Sequence, residues 1–255
     1  MQIARIKTQN SKGKYALYEK GEYYFLQGNP YAKWTKGQKV NEPFKLLCPV
    51  TPTKIVALGV NYASHREEMK HDENMKPVIF FKPLSSLLAP FEKIVYPPSA
   101  STVHYEAELT IVIKKRCKNV KSKNAKKYIL GYTCANDVSE RNFQKIDGQW
   151  ARAKGFDTFC PVGPYISVDI DASQLDLKTV LNGETVQSGN TRDLICKIDD
   201  IVAYISSVMT LEKGDIILTG TPKGVGEIKV GDKVEIVIEK IGALTNSVAA
   251  GKDKA

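Results

Sequence analysis

The sequence predicts an α+β fold that is mostly β. Three observations carry this. Short apolar or alternating runs bounded by Gly and Pro outnumber segments of helical period, and they do not alternate with helices as in a Rossmann fold or TIM barrel. Lys20-Gly21 and Asn182-Gly183 mark two tight hairpins. Residues 103–113, VHYEAELTIVI, alternate with period two. At 255 residues the chain suits one large domain with a small appendage.

The elements follow in order. In residues 1–50, MQIARIKT alternates, KYALYEKGEYYFLQ turns at Lys20-Gly21, and helical period is absent. This stretch is expected to be a small N-terminal β domain, with 51–255 as the larger one. CPVTPT (48–53) breaks the chain. KIVALGVN (54–61) reads as a buried strand, and ASHREEMKH (63–71) starts a helix. DENMKP (72–77) is polar and expected to be mobile. VIFFKP (78–83) is a strand stopped by Pro83. Beyond 103–113, NAKKYILGY (124–132) reads as a helix ending at Gly131. TCANDVSERNFQ (133–144) reads as a strand end, a turn and a short helix. GQWARAKGFDTFCPVGPYI (148–166) reads as a loop rich in Gly and Pro. DLKTVLNGETVQSG (176–189) is the second hairpin. A helix is expected over about 199–210, where Ile201, Val202, Ile205, Val208 and Met209 follow the i, i+3/i+4, i+7 pattern. IILTGTPKGVG (216–226) is a strand entering a glycine loop. VGDKVEIVIEKIGALTNSV (230–248) supplies one or two strands before a frayed tail.

Composition narrows the classes. Hydrophobic residues make up 42% and charged residues 25%, enough apolar surface for a sizeable core. The start shows no apolar signal-peptide region, and no run approaches the roughly 18 apolar residues of a membrane span. A cytoplasmic protein without a membrane partner is expected. The five cysteines are odd in number and widely spaced, with no C-x-x-C pair. That fits reduced thiols rather than a zinc ribbon or disulfide framework. The net charge of +9 raises nucleic acid as a partner. Much of the excess sits in 114–127, KKRCKNVKSKNAKK, which lacks interleaved aromatics and any recognised motif. A solvated loop is expected there, and a basic nucleic-acid-binding protein stays as the non-enzyme alternative.

The chemistry-bearing residues begin at 103–113. The odd positions are apolar or aromatic and pack on a core. Glu106 and Glu108 share the other face, with Cα atoms about 7 Å apart. Either that face meets water, or the two carboxylates hold a hard cation with a third oxygen ligand. Asp137, in the turn of CANDVSER, is the candidate third; its other reading is an Asx turn or helix cap. Such a set suits an open Mg²⁺ or Mn²⁺ site. His65 and Glu68 lie three apart on a predicted helix. They read either as a surface ion pair or as an oriented base toward water. Lys154 could hold an anion or a developing enolate. Arg141 and Gln144 fall on the side of Asp137 if a helix starts there; otherwise they form a solvated face. The loop 219–226 is not a phosphate cradle, because no Gly-Lys-Ser/Thr follows at the required offset. Close backbone approach to a small ligand, with the Thr221 hydroxyl as donor, is the better reading.

Taken in order, GVNYASHREEM, FFKP, HYEAEL, GYTCANDVSERNFQ, AKGFDTFCPVGPYI, LNGETVQSGNT and LTGTPKGVG resemble the fumarylacetoacetate hydrolase family over about residues 54–248. The resemblance implies a mixed β-sandwich roll, usually dimeric, with 1–50 as the small N-terminal β domain. It implies Glu106, Glu108 and Asp137 as ligands of Mg²⁺ or Mn²⁺ (Ca²⁺ in crystals), and His65 with Glu68 as a water-activating dyad. Lys154 matches a substrate lysine, and Arg141, Gln144 and Thr221 match pocket-lining positions. Segment 66–78 would be a lid. One departure is Val60, where many relatives carry Arg or Leu. The implied activity is C–C bond hydrolysis in an acylpyruvate or related 2-oxo acid through a metal-stabilised enolate. The alternatives are isomerisation of a 2-hydroxyhepta-2,4-diene-1,7-dioate type substrate and decarboxylation of oxaloacetate. An inactive metal-binding member is disfavoured by the intact His65, Glu68 and Lys154.

Overall fold

The computed structural model describes residues 1–9, 11–69 and 77–252. The chain opens with five strands: β1 (Gln2–Thr8), β2 (Lys14–Glu19), β3 (Glu22–Gly28), β4 (Trp34–Lys39) and β5 (Phe44–Leu47). The β2–β3 turn places Lys20 at φ 52° and Gly21 at φ 86°, the double left-handed conformation that a two-residue hairpin needs. Next come β6 (Ile55–Gly59), α1 (Ala63–Glu68) and β7 (Val78–Lys82), as the sequence predicts. The predicted mobility of 72–77 and most of the predicted lid fall on 70–76, outside the described residues.

Short strands β8 (Leu87–Leu88) and β9 (Lys93–Tyr96) precede the segment that alternates. That segment is two strands, β10 (Val103–Tyr105) and β11 (Ala107–Ile113), interrupted at Glu106. The predicted helix over 124–132 is corrected. A 3₁₀ turn covers Ser122–Tyr128, and β12 (Ile129–Asn136) follows. Local helix formers lose there to tertiary pairing, since β12 runs antiparallel to β11 along nearly its whole length. Gly131 is not a helix cap: an added Cβ would lie 2.4 Å from the Ser167 carbonyl, so glycine allows the close approach of the neighbouring strand.

The chain continues through β13 (Ser139–Glu140), α2 (Arg141–Ile146), α3 (Ala151–Lys154) and β14 (Cys160–Ser167). The predicted loop over 148–166 is therefore also corrected, because it holds a helical turn and a buried eight-residue strand. Pro164 is tolerated because it falls at the register shift between β12 and β14, where ladder pairing lapses. The remainder is β15 (Asp176–Leu181), β16 (Glu184–Asn190), α4 (Ile198–Val208), β17 (Ile216–Leu218), β18 (Gly226–Glu227), β19 (Lys233–Ile238) and β20 (Gly242–Ala250). The β15–β16 turn again has the left-handed pair, Asn182 at φ 51° and Gly183 at φ 93°.

Three sheets result. A 12-stranded sheet contains the path β4-β3-β2-β1-β14-β12-β11-β17-β6-β7, a five-stranded sheet runs β16-β15-β19-β20-β9, and β13-β10-β18 form a third. β1 joins the first five strands to the rest by pairing with β14. β11 is buried on both faces. Leu109, Ile111 and Ile113 pack in one core with the five-stranded sheet (Leu177, Val234, Ile236) and with α4 through Ile201, Val202 and Ile205. Val112 packs in a second core with Ala57, Ala135, Val162 and Leu218. Burying both faces of a long strand is the sandwich condition. Val208 ends α4 exposed to solvent rather than in its apolar stripe.

Candidate metal centre and active site

The interruption at Glu106 builds the site. The Glu106 N–H donates to Asn136 Oδ1 (3.0 Å), and its carbonyl accepts from the Asp137 N–H (3.0 Å). One residue on, the Ala107 N–H donates to Gln187 Oε1 (3.1 Å), and its carbonyl accepts from Thr221 Oγ1 (2.9 Å). Side chains of Asn136, Gln187 and Thr221 thus take three of the four backbone groups that a continuous ladder would use. One carboxylate oxygen each from Glu106, Glu108 and Asp137 then lies within 4.8 Å of the others. All three residues are buried, with 4%, 2% and 0% exposure. The water-facing reading of the Glu106/Glu108 face does not hold. Nor does Asp137 cap the following helix: Glu140 does, accepting from the Phe143 N–H.

Buried carboxylates need partners. Lys82 Nζ donates to Asp137 Oδ1 (2.6 Å) and to the Val138 carbonyl (3.3 Å). Lys154 Nζ donates to Glu106 Oε2 (2.8 Å) and Asp137 Oδ2 (2.6 Å). Arg141 Nη2 donates to Glu106 Oε1 (2.5 Å), and its Nη1 donates to Gln144 Oε1 (2.8 Å). Burial pushes the Glu106 carboxyl up, but the Lys154 and Arg141 charges outweigh it and hold the group well below the usual range. Glu108 differs. Its Oε2 accepts from the Gly220 N–H (2.6 Å). Burial, then the Asp137 and Glu106 charges, push its pKa well above the usual range. Gly220 sits at φ 98°, and an added Cβ would lie 2.9 Å from Asn61 Cβ, so glycine is what lets this N–H reach Glu108. Three hard oxygens close together, one on a carboxyl with no lysine or arginine bonded to it among the described residues, fit a divalent cation such as Mg²⁺ or Mn²⁺.

His65 and Glu68 fall on one face of α1. His65 Nδ1 meets Glu68 Oε2 at 2.8 Å, and Glu68 Oε1 accepts from the Gly224 N–H at 2.9 Å. His65 is 7% exposed, so this is not a surface ion pair. A small cavity of about 30 Å³ is lined by His65, Glu106, Glu108, Asp137, Arg141, Gln144, Lys154 and Thr221. Only Glu68, of the nine predicted site residues, stands behind this lining. The Thr221 hydroxyl is occupied, because it donates to Ala107 and accepts from Gln187 Nε2. A larger cleft of about 750 Å³, bordered by Tyr132, Asp171, Arg192 and Asp199, contains none of the nine.

Sequence reasoning missed Lys82, Gln187 and the apolar wall of Phe80 and Trp150, whose rings meet edge-on at 5.1 Å. FFKP held a signal for Lys82, a charge at the end of an apolar strand. Val60 lines the cavity at φ 61°, a left-handed conformation that is strained for a β-branched residue. Its neighbour Asn61 holds the turn, accepting from the Cys196 N–H (2.8 Å) and donating to the Thr219 carbonyl (2.8 Å).

His104, on β10, is half-buried, and its Nδ1 has no hydrogen-bond partner among the described residues. Burial and then the Arg141 charge push its pKa from 6.5 down to about 4, against Glu106, Glu227 and Glu68. A lowered folded-state value means stability that is present above pH 6.5 and lost as pH falls through 4. Wild-type stability should therefore drop across that window in urea titrations. Part of the drop should be absent in His104→Gln.

Comparisons with known proteins identify the family. The model of the fumarylacetoacetate (FAA) hydrolase C-terminal family matches residues 54–249. The structure of 2-hydroxyhepta-2,4-diene-1,7-dioate isomerase from Mycobacterium marinum is 42% identical, with a TM-score of 0.91 over 100% of both chains. The mitochondrial oxaloacetate tautomerase Fahd2a of Rattus norvegicus is 41% identical over 214 residues, 79% of this chain and 68% of that protein. The maleylpyruvate hydrolase of Sphingobium sp. SYK-6, solved with manganese(II) and pyruvate, is 31% identical, with a TM-score of 0.82 over 99% of this chain and 100% of that one. By sequence, and by a fold shared along the whole chain, the protein belongs to the fumarylacetoacetate hydrolase family.

Proposed function

We propose that the chain is a divalent-metal-dependent enzyme that cleaves a C–C bond in a 2-oxo acid such as an acylpyruvate. The observation that carries this is the convergence of a buried carboxylate triad and a His65–Glu68 pair on one cavity. Glu106, Glu108 and Asp137 would hold Mg²⁺ or Mn²⁺. The ion would supply Lewis acidity toward the carboxylate and 2-oxo oxygens of the substrate. Lys154 adds positive charge where an enolate develops, and Arg141 and Gln144 orient the acid. Glu68 fixes Nδ1 of His65, which leaves Nε2 to take a proton from water attacking the second carbonyl. The wall of Phe80 and Trp150 limits solvent around that step.

A second reading is favoured by similarity. The isomerase and tautomerase relatives are 42% and 41% identical, against 31% for the hydrolase. Enolate formation followed by reprotonation, without water attack, is isomerisation or tautomerisation; loss of CO₂ from the keto form of oxaloacetate would instead leave the enolate of pyruvate, which the same charges would stabilise. We further read the chain as a cytoplasmic homodimer, in keeping with five free cysteines. No helix among the described residues is long and apolar enough to cross a membrane.

The test follows ultraviolet loss of a short acylpyruvate with Mn²⁺ and then EDTA, with oxaloacetate in parallel. Metal-dependent loss should fall by about 10²–10⁴-fold in His65→Ala while Mn²⁺ affinity persists. Turnover of oxaloacetate alone, indifferent to His65→Ala, would move the assignment to the tautomerase or decarboxylase. Turnover of neither, with Mn²⁺ still bound, would sink the acylpyruvate reading and move the assignment to an isomerase of longer dienedioates, whereas salt-dependent nucleic-acid binding indifferent to Glu106→Gln would return nucleic acid as the partner.

A further inference from the structure

Each carboxylate of the triad has one oxygen held by a protein donor. Asp137 Oδ1 accepts from Lys82, Glu106 Oε1 from Arg141, and Glu108 Oε2 from the Gly220 N–H. The second oxygens of Glu106 and Asp137 both accept from the single ammonium of Lys154, so an ion at these two oxygens would take its place there. Lys82 stands apart from the other side chains of this group. It does not line the cavity, and its side chain is 0% exposed. Its ammonium grips both the Asp137 carboxylate and the backbone carbonyl of the next residue. It ends β7, whose register is locked by the Ile55–Lys82 pairing with β6. The donor on Asp137 Oδ1 is therefore rigid, charged and out of reach of water.

We propose that Lys82 is a positioning residue that makes Asp137 a one-oxygen ligand and so sets the ion preference of the centre. The inference rests on the metal reading above. Ca²⁺ accepts six to eight oxygens and often takes both from one carboxylate, whereas Mg²⁺ and Mn²⁺ suit six single oxygens at shorter range. To offer both oxygens, Asp137 must weaken a charge-assisted bond in a dry setting, where that bond is strongest. Three single-oxygen ligands discriminate against Ca²⁺, and Lys82 enforces this at Asp137.

The experiment measures Mn²⁺ and Ca²⁺ binding to the metal-free full-length chain by calorimetry, for wild type and Lys82→Met. Both ions are doubly charged, so loss of the lysine charge shifts both affinities alike and cancels in their ratio. Wild type should prefer Mn²⁺, and that preference should shrink at least about tenfold in Lys82→Met. An unchanged ratio in a Lys82→Met protein with wild-type circular dichroism overturns the proposal and leaves the metal reading intact. Absence of Mn²⁺ binding in wild type overturns both. A second measurement needs no variant: magnetic resonance of wild-type Mn²⁺ protein in ¹⁷O-water counts the water ligands. Three single-oxygen carboxylates leave about three of six positions to water, and a count of two or fewer overturns the proposal. Neither readout depends on turnover, so failure to cleave an acylpyruvate is a separate result.

Discussion

Glu106→Gln should abolish turnover and weaken Mn²⁺ binding by more than about a hundredfold, with the fold retained. Removing an outer partner of a metal ligand already costs about 10–100-fold in affinity or activity, and this change removes a ligand. It also removes the charge that both Arg141 and Lys154 face. The amide can accept from one of them but cannot balance two cations. The melting temperature should therefore fall by several degrees without loss of cooperativity. Calorimetric metal binding, steady-state turnover and a thermal melt on one preparation check the three parts. Wild-type Mn²⁺ affinity in the variant would remove Glu106 from the ligand set.

Asp215→Ala should be the most destabilising single change away from the site. Asp215 is fully buried. Its carboxylate accepts from the Thr53 N–H (2.9 Å), Thr53 Oγ1 (2.7 Å), the Lys54 N–H (3.1 Å), the Glu212 N–H (2.7 Å) and Lys54 Nζ. It ties the start of β17 to the start of β6, the parallel pair through which β6 and β7 join the large sheet. Truncation strands several backbone donors and one ammonium. The expected loss is about 3–5 kcal/mol, or roughly 6–10 °C in melting temperature for a chain of this size. Asp215→Asn should retain part of it. A change below about 1 kcal/mol in urea unfolding would show that water reaches these donors.

The candidate triad was legible because its signals are local. Two glutamates two apart on an alternating strand must share a face, and Asp137 follows an apolar run directly. The pairing of His65 with Glu68 follows from helical spacing. Lys82 was illegible for the opposite reason. It meets Asp137 across 55 residues, and in the sequence it is one lysine among many. The same distinction explains the two misread elements. At 124–132 the run AKKY favours a helix locally, while pairing with β11 and β14 decides the strand that follows. At 148–166 Gly and Pro signal a loop, while a lapse in the ladder lets Pro164 stay inside β14. Hairpins whose turn chemistry and register coincide, such as Asn182-Gly183, needed no such distant information.

The count of buried charges bears on catalysis. Three carboxylates face three cations, Lys82, Arg141 and Lys154, so the triad and these partners balance in charge once Glu108 is ionised. On the proposed reading a divalent ion would add two positive charges there. A 2-oxo acid with an uncharged tail would bring one negative charge to meet them, and an enolate developing on it a second. A cation at the triad and Lys154 would meet more negative charge on an enolate than on the bound ground state, so the site would favour the reacting species. A dicarboxylate would bring both negative charges on arrival and gain in binding instead. Substrates of the first kind should accordingly show the higher kcat, and those of the second the lower KM.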